Sequence, residues 1–513
     1  MNYADLFRVT LPETALEIAA LLVLVVDLGF LRKAALKTRV AVAALVGVAG
    51  CGAALWTLQF QGSAGLALEG SKDLLLATGG IVQVAQSGTL VLTALTLLLL
   101  IGAEFTKHVG EYVAVVLMAA AGGLVIASAQ DLLVIFVGLE LLSLGLYILT
   151  AFAKSSGKSA EAALKYYLFG GMSAAFLLFG FSYLYGITGS TNLHQIMLAS
   201  VFASASGSAP LLYVALVMIG AGLAFKVAAA PFHLWAPDTY EGAPAPAAAF
   251  IASVSKVASF ALLISIASAI AHIFGDARTV RFVMISSGPV PKFLGAQIPW
   301  SILLAVFAAA SMVVGNLAAL AQVSVRRLLA YSAIAHAGYM LLALAFFSHT
   351  SSSANAVLYY ILTYGLTTIG AFGAVDVVQR ATGSDRMDAF LGLHKRNPVL
   401  AAVLLVLFLS LAGIPPLVGF WAKFNLFAAV LGVSAGPVPF ALVALAVAFS
   451  AVSLYYYLQV LKRAYVMPAV DDTPIKAHPV SLLVLVLIAA AVVALGCFPA
   501  LLQGWIESLS PML

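Results

Sequence analysis

The stretch Leu223-Ala-Phe-Lys226-Val-Ala-Ala-Ala-Pro231-Phe-His233-Leu-Trp-Ala-Pro237-Asp-Thr-Tyr-Glu-Gly-Ala-Pro244-Ala-Pro246 sets the terms for the whole chain. It places a lysine in an apolar run and a proline five residues later, where the ring removes a backbone donor and interrupts the helix. Composition says that the solvent around such runs is lipid. Of 513 residues, 63% are apolar and 9% are charged, against about 45–50% and about 25% in soluble domains. In lipid, freed backbone groups are tolerated only beside protein or a water-filled cavity, so this break marks a place where both a charge and polar backbone are kept on purpose.

Working outward, a helix needs about 20 apolar residues to cross the bilayer core. The sequence predicts fourteen such spans, near 12–31, 40–58, 82–103, 112–128, 132–153, 159–185, 210–238, 246–274, 300–322, 328–347, 354–378, 398–420, 438–465 and 479–502, with ends good to a few residues. Of the 25 basic residues, sixteen fall in the alternate loops that share one side and five on the other side, Arg8, Lys72, Arg278, Arg281 and Lys292. The positive-inside rule puts the sixteen in the cytoplasm and both termini outside. The first ten residues carry Asp5 and Arg8 and no basic n-region, so no cleavable signal peptide is expected.

The remaining four basic residues, Lys165, Lys226, Lys256 and Lys423, belong to predicted spans. Each costs roughly 2.5 to 3.5 kcal/mol on insertion scales, so an intramembrane ionisable residue is read as functional by default. The alternative is snorkelling to the headgroups, which Lys165, two turns inside its span, allows most readily. Glu140, in the fifth span, has no charged neighbour on its own helix and needs a partner from another. Lys165 enters from the same side at comparable depth, and the two are expected to pair. A second break, Leu409-Ser-Leu-Ala-Gly413-Ile-Pro415-Pro416-Leu-Val-Gly419-Phe-Trp-Ala-Lys423, again brings a lysine. His233 and His336 are candidate proton carriers because imidazole titrates near neutral pH. The tyrosines at 359, 360, 364 and 455 to 457 read as core or interfacial aromatics. Asp27 and Asp376, near span ends, read as solvated or capping residues. Only Cys51 and Cys497 are present, far apart, which excludes a thiolate cage for zinc or an iron–sulfur cluster and a disulfide scaffold.

The chain also resembles itself. Ala163-Leu-Lys165-Tyr166-Tyr167-Leu168 matches Ala356-Val-Leu358-Tyr359-Tyr360-Ile361 at an offset of 193, Gly145 to Ala151 matches Ala337 to Ala343 at 192, and the two break lysines differ by 197. The shift maps span five on ten, and an odd shift turns one copy upside down, as in inverted-repeat transporters. The expected fold is an all-α polytopic membrane protein of about fourteen transmembrane helices. It has two inverted five-helix repeats (spans 4–8 and 9–13) and discontinuous helices 7 and 12. The expected units are residues 1–111, 112–274, 275–465 and 466–513. Carried across at these offsets, Glu140 falls on Ser332, Lys165 on Leu358 and Lys256 on Ser453, and only Lys226 keeps a lysine. Charges spread over five spans suit a lateral proton relay with a half-channel to each side.

Residues 225–246 and the Lys256 helix resemble the proton-translocating membrane subunits of respiratory complex I and their relatives among multisubunit cation/proton antiporters. The resemblance covers spans four to thirteen. It implies a proton path through Glu140, Lys165, Lys226, Lys256 and Lys423, with His233 and His336 as weaker candidates. In it, separation of the Glu140–Lys165 pair makes Lys226 give up its proton toward Lys423. Lys423 at the second break departs from the subunit type that carries glutamate there, and the long lateral extension of another type is not expected after span fourteen. The resemblance further implies a bacterial inner-membrane assembly with other membrane subunits, antiporter-like ones among them. It places no cofactor and no metal in this chain, with NADH, FMN, iron–sulfur clusters and quinone in partner subunits. No nucleic-acid partner is expected. The rivals are a cation/proton antiporter working without NADH and a scaffold whose buried charges only set helix register.

Overall fold

The computed structural model describes residues 3–61, 65–67, 74–103, 105–205, 209–275, 297–347, 351–433, 436–469 and 473–509. Lys72, Arg278, Arg281 and Lys292, used above for orientation, lie outside the described residues. The helices are α1 (Tyr3–Val9), α2 (Leu11–Val25), α3 (Leu36–Leu58), α4 (Gly80–Leu100), α5 (Val109–Ser128), α6 (Leu132–Thr150), α7 (Gly157–Thr188), α8 (Leu193–Ala205), α9 (Ala209–Val227), α10 (Trp235–Gly242) and α11 (Ala245–Gly275). The second half adds α12 (Gln297–Leu320), α13 (Val325–Ala345), α14 (Ser351–Thr382), α15 (Leu393–Arg396), α16 (Pro398–Ala412), α17 (Val418–Val433), α18 (Pro437–Tyr465), α19 (Pro479–Cys497) and α20 (Ala500–Leu509).

Twelve of these are long and apolar enough to cross a membrane. The helix α2, and α16 with α17 taken as one broken helix, complete the expected fourteen. The chain is a multi-pass membrane protein. The structure refines the expected spans in four places. The seventh ends at Val227 and resumes as the short α10. A separate helix, α8, precedes it. The last span ends at Cys497 and turns into α20. Among the described residues, one small antiparallel hairpin, Gly65–Ala67 with Leu74–Ala77, interrupts the helices.

The internal repeat is visible in backbone detail. Before α6, Leu132 N–H donates to Thr191 O at 2.8 Å and Leu193 N–H to Gln130 O at 2.9 Å; before α13, Val325 N–H donates to Asp385 O and Met387 N–H to Val323 O, both at 2.9 Å. Both ladders close a 32-residue helix, α7 or α14, that ends in a left-handed glycine, Gly189 at φ 70° or Gly383 at φ 75°. Only glycine adopts that conformation without steric cost.

Helix crossings repeat too. A Cβ on Gly122 would meet Leu142 N at 2.7 Å and Gly138 O at 3.2 Å, and one on Gly315 would meet Ala335 N at 2.6 Å and Tyr331 O at 2.9 Å. Such close backbone approach is the usual means of packing helices in lipid. All these pairs share an offset of 193 or 194, so the offset of 192 expected in this helix is corrected to 193. The counterpart of Glu140 is therefore Ala333 rather than Ser332, and the counterpart of Ser143 is His336. An odd shift of five spans inverts the second copy.

Candidate functional site, a buried row of lysines and a histidine

Both helix breaks carry their lysine as the sequence suggests, but they use it differently. Lys226 closes α9, is 9% exposed, and donates to Ser143 Oγ of α6 at 2.5 Å. The carbonyl of Phe225, at the break, accepts both Ala228 N–H and the Trp235 indole N–H at 3.0 Å, and Ala230 N–H donates to Ser311 Oγ at 2.9 Å. The broken backbone is thus satisfied by side chains, as burial in lipid requires. Lys423 lies after its break, in α17. Its ammonium donates to Leu411 O at 3.1 Å and Ala412 O at 2.8 Å, the last carbonyls of α16, and to Ser450 Oγ at 2.8 Å. A helix C-terminus leaves its carbonyls unpaired and carries partial negative charge, which favours a cation. Gly413, at φ 88°, ends α16, and a Cβ there would come within 3.2 Å of Lys423 Nζ.

Lys256, in the middle of α11, is 2% exposed and donates to Ala333 O at 2.5 Å. Between it and Lys423 stands His336 of α13, 4% exposed, whose Nδ1 is 2.8 Å from Tyr360 Oη. Aromatic rings complete the row. Lys256 Nζ lies 5.7 Å from the centre of the Tyr364 ring, Tyr364 and His336 are 4.8 Å apart by ring centres, His336 and Tyr339 are 5.7 Å apart, and Lys423 Nζ lies 5.5 Å from the Tyr339 ring. Rings at this range stabilise a cation through their quadrupole. A hydrogen-bonded branch runs from Tyr339 Oη through Asn316 to Tyr456, with Asn316 Nδ2 donating to Tyr339 at 3.3 Å and Tyr456 Oη donating to Asn316 Oδ1 at 3.1 Å. Tyr360, Tyr364 and Tyr456, read from sequence as core or interfacial aromatics, therefore line the site, whereas Tyr455 is 59% exposed.

The structure does not form the expected Glu140–Lys165 pair. Lys165 turns to Asp238 Oδ2 at 2.8 Å and to Glu161 at 2.7 Å, with its side chain 41% exposed. The same Asp238 accepts Arg327 at 2.6 Å, Arg327 reaches Glu241 at 3.0 Å, and Lys158 reaches Glu241 at 3.2 Å. This network ties α7, α10 and the start of α13. Glu140 is one helical turn from Ser143, the residue that accepts from Lys226, on the same face of α6. The acid therefore belongs with Lys226 rather than with Lys165. Hydropathy gives depth in the membrane but not the rotation of each helix, which is why the sequence chose the wrong partner.

His233 sits in the first break, 9% exposed, with Nδ1 buried and without a partner. Asp27 is not solvated: it is 1% exposed, holds Arg39 through two bonds of 2.7 and 2.6 Å, and accepts Gly110 N–H at 3.1 Å. Asp376 pairs with Arg380 at 2.8 Å. A cleft of about 780 Å³ lined by Ser352, Asn355, Tyr359, Asn425, Gln503 and Glu507 opens at the far ends of α14 and α17. Tyr359 of its lining is the neighbour of Tyr360, the residue bonded to His336. Among the described residues no group of three His, Cys, Asp or Glu side chains could hold a metal ion.

A row of buried, protonatable side chains across two inverted copies is the architecture of an antiporter-like membrane protein. Residues 129–290 and 280–450 match the family described as NADH:quinone oxidoreductase/Mrp antiporter, transmembrane, and the chain belongs to that family. Within it, the chain is 48% identical to NADH-quinone oxidoreductase subunit N 2 of Acidobacterium capsulatum, with 99% of both chains covered. It is 39% identical to NADH-quinone oxidoreductase subunit N of Brevibacillus brevis over 78% of this chain and 75% of that one. A chain in respiratory complex I from Thermus thermophilus with bound aureothin has 34% identity and a TM-score of 0.74, covering 96% of this chain and 98% of that one. A chain of the Mrp complex from a Dietzia species shares the fold, with a TM-score of 0.76 at 21% identity over 97% and 98% of the two chains.

Proposed function

We propose that this chain is the proton-translocating membrane subunit of an NADH:quinone oxidoreductase, and that protons move along Lys226, Lys256, His336 and Lys423. The observation that carries the reading is the row of cation and ring contacts from Lys256 through Tyr364, His336 and Tyr339 to Lys423. Among the described residues, no carboxylate pairs with Lys256 or Lys423; carbonyls and hydroxyls hold them. Cations held without counterions repel one another at short range. Charging one end of the row therefore favours discharge of the other, which moves a proton by displacement. The close relatives named as subunit N support the same reading.

The coupling handle is the Asp238 network. Asp238 lies in α10, directly after the break that carries Lys226, and it joins Lys165 of α7 to Arg327 at the start of the His336 helix. A change of charge next to Lys165 pulls on α10 and with it on the Lys226–Ser143–Glu140 group. We assign the network to the cytoplasmic side, where the positive-inside rule places Lys158 and Arg327. The cleft near Tyr359 then faces outside and serves proton release, with both termini on that periplasmic side of a bacterial inner membrane. NADH, FMN, iron–sulfur clusters and quinone belong to partner subunits, and further antiporter-like subunits are the expected neighbours. Moving one charge against 100 mV takes about 2.3 kcal/mol, a cost that redox chemistry in those partners supplies.

Affinity purification of the tagged chain in mild detergent tests this assignment. A large co-purifying assembly that reduces quinone with NADH is expected. Recovery of a few antiporter-type subunits without redox activity, with sodium-driven proton movement in vesicles, would instead support cation exchange.

A further inference from the structure

A second buried acid lies away from the lysine row. Glu13, in the first turn of α2, is 7% exposed. Gln86 of α4 donates from Nε2 to Glu13 Oε1 at 3.4 Å and to Leu124 O of α5 at 3.2 Å. Three polar atoms here are buried without a partner: Glu13 Oε2, Gln86 Oε1 and Thr89 Oγ1. Gln86 and Thr89 are 2% and 0% exposed and share one face of α4, three residues apart. Glu13 Oε2, when the acid is ionised, and Gln86 Oε1 can only accept, and the single O–H of Thr89 can serve only one of them, so the group is one proton donor short. A carboxyl proton or an ordered water supplies one, and a buried water needs two to four polar partners of this kind.

The charge around Glu13 is sparse. On α2 the other acid in this half is Glu17, on the exposed face. The helix α1 brings Asp5 and Arg8, both exposed, and α4 has no titratable side chain. The helix α3 offers buried Cys51, while its Lys37 and Arg39, and Glu111 and Tyr112 of α5, lie at the opposite end near Asp27. No cation of α1 to α5 therefore pairs with Glu13, and of those on the other helices packed on α4, Lys256 of α11 donates to Ala333 O and Arg380 of α14 pairs with Asp376. The group also touches the helix of Lys256: a Cβ on Gly123 would meet Ala258 Cβ at 3.5 Å and Thr89 Cγ2 at 3.6 Å, so α4, α5 and α11 converge beside it.

We propose that Glu13, Gln86 and Thr89 form a separate proton-exchanging site, a protonated carboxyl with ordered water, open to the aqueous side at the N-terminal end of α2. The proton moves between Glu13 Oε2 and that water, with Gln86 Oε1 and Thr89 Oγ1 as the water's other partners. The site does not depend on the lysine relay, and its test does not read pumping.

Infrared difference spectra of the intact assembly, recorded while the bulk pH is changed, are expected to show a carboxylic-acid band that shifts in D2O. Glu13→Gln should remove it and Thr89→Val should displace it. A spectrum unchanged in Glu13→Gln, or a band indifferent to D2O, would overturn the proposal. Loss of the band on adding sodium at constant pH would also overturn it, by assigning the oxygens to a metal cation. If Glu13→Gln fails to assemble, the near-isosteric Thr89→Val decides: a displaced band supports the site and an unmoved one rejects it.

Discussion

With Lys423 replaced by alanine, NADH-driven quinone reduction by the coupled assembly in sealed vesicles is expected to fall on the order of 10²-fold, the lower end of what one positioned acid–base group contributes. Lys423 ends the row, and among the described residues no other basic side chain donates to the carbonyls of Leu411 and Ala412. Without the ammonium these carbonyls and Ser450 keep only water, and the proton has no acceptor after His336. Lys423→Arg should not rescue the rate, because guanidinium stays charged and cannot hand on a proton. Adding an uncoupler should leave both variants slow, since the missing step lies within the chain. A rate within twofold of the wild type in Lys423→Ala would remove this residue from the path.

The second large effect is expected at the centre of the row. His336→Phe keeps the ring and its packing against Tyr339 and Tyr364 but removes Nδ1 and its bond to Tyr360. The coupled rate should fall by about 10²-fold. Tyr360→Phe, which removes only the hydroxyl that orients the imidazole, should cost about tenfold or less and should shift the pH dependence of the rate. Because a phenyl ring replaces the imidazole, the thermal stability of the assembly is expected to hold. If His336→Phe is slow only when the assembly is also unstable, the histidine is a packing residue and the two halves of the row are not joined through it.

The sequence made much of this legible, and for identifiable reasons. Proline inside an apolar run announces a break, and Lys226 and Lys423 beside such breaks announce its use. The near-constant offset of about 193 residues announced the repeat, which the paired ladders at Leu132–Leu193 and Val325–Met387 reproduce bond for bond. What stayed hidden depends on helix rotation. Lys165 and Glu140 share a depth, yet Lys165 points to Asp238 on a half-helix whose direction the sequence did not reveal. Tyr364 and Tyr339 look like any buried aromatic until the structure sets a cation over each ring. Glu13 was hidden by position: an acid in the first turn of a helix looks like a charge on a helix end, and only the packing of α4 and α5 buries it.

The most direct test of the relay is the proton-to-electron ratio of the assembled complex in sealed vesicles, with Lys226→Ala and Lys226→Arg measured side by side. Alanine removes the proton carrier that Ser143 holds, and arginine keeps the charge while refusing exchange. The account predicts that neither variant reaches the wild-type combination of rate and ratio. Both variants pumping at the wild-type ratio and rate would contradict it.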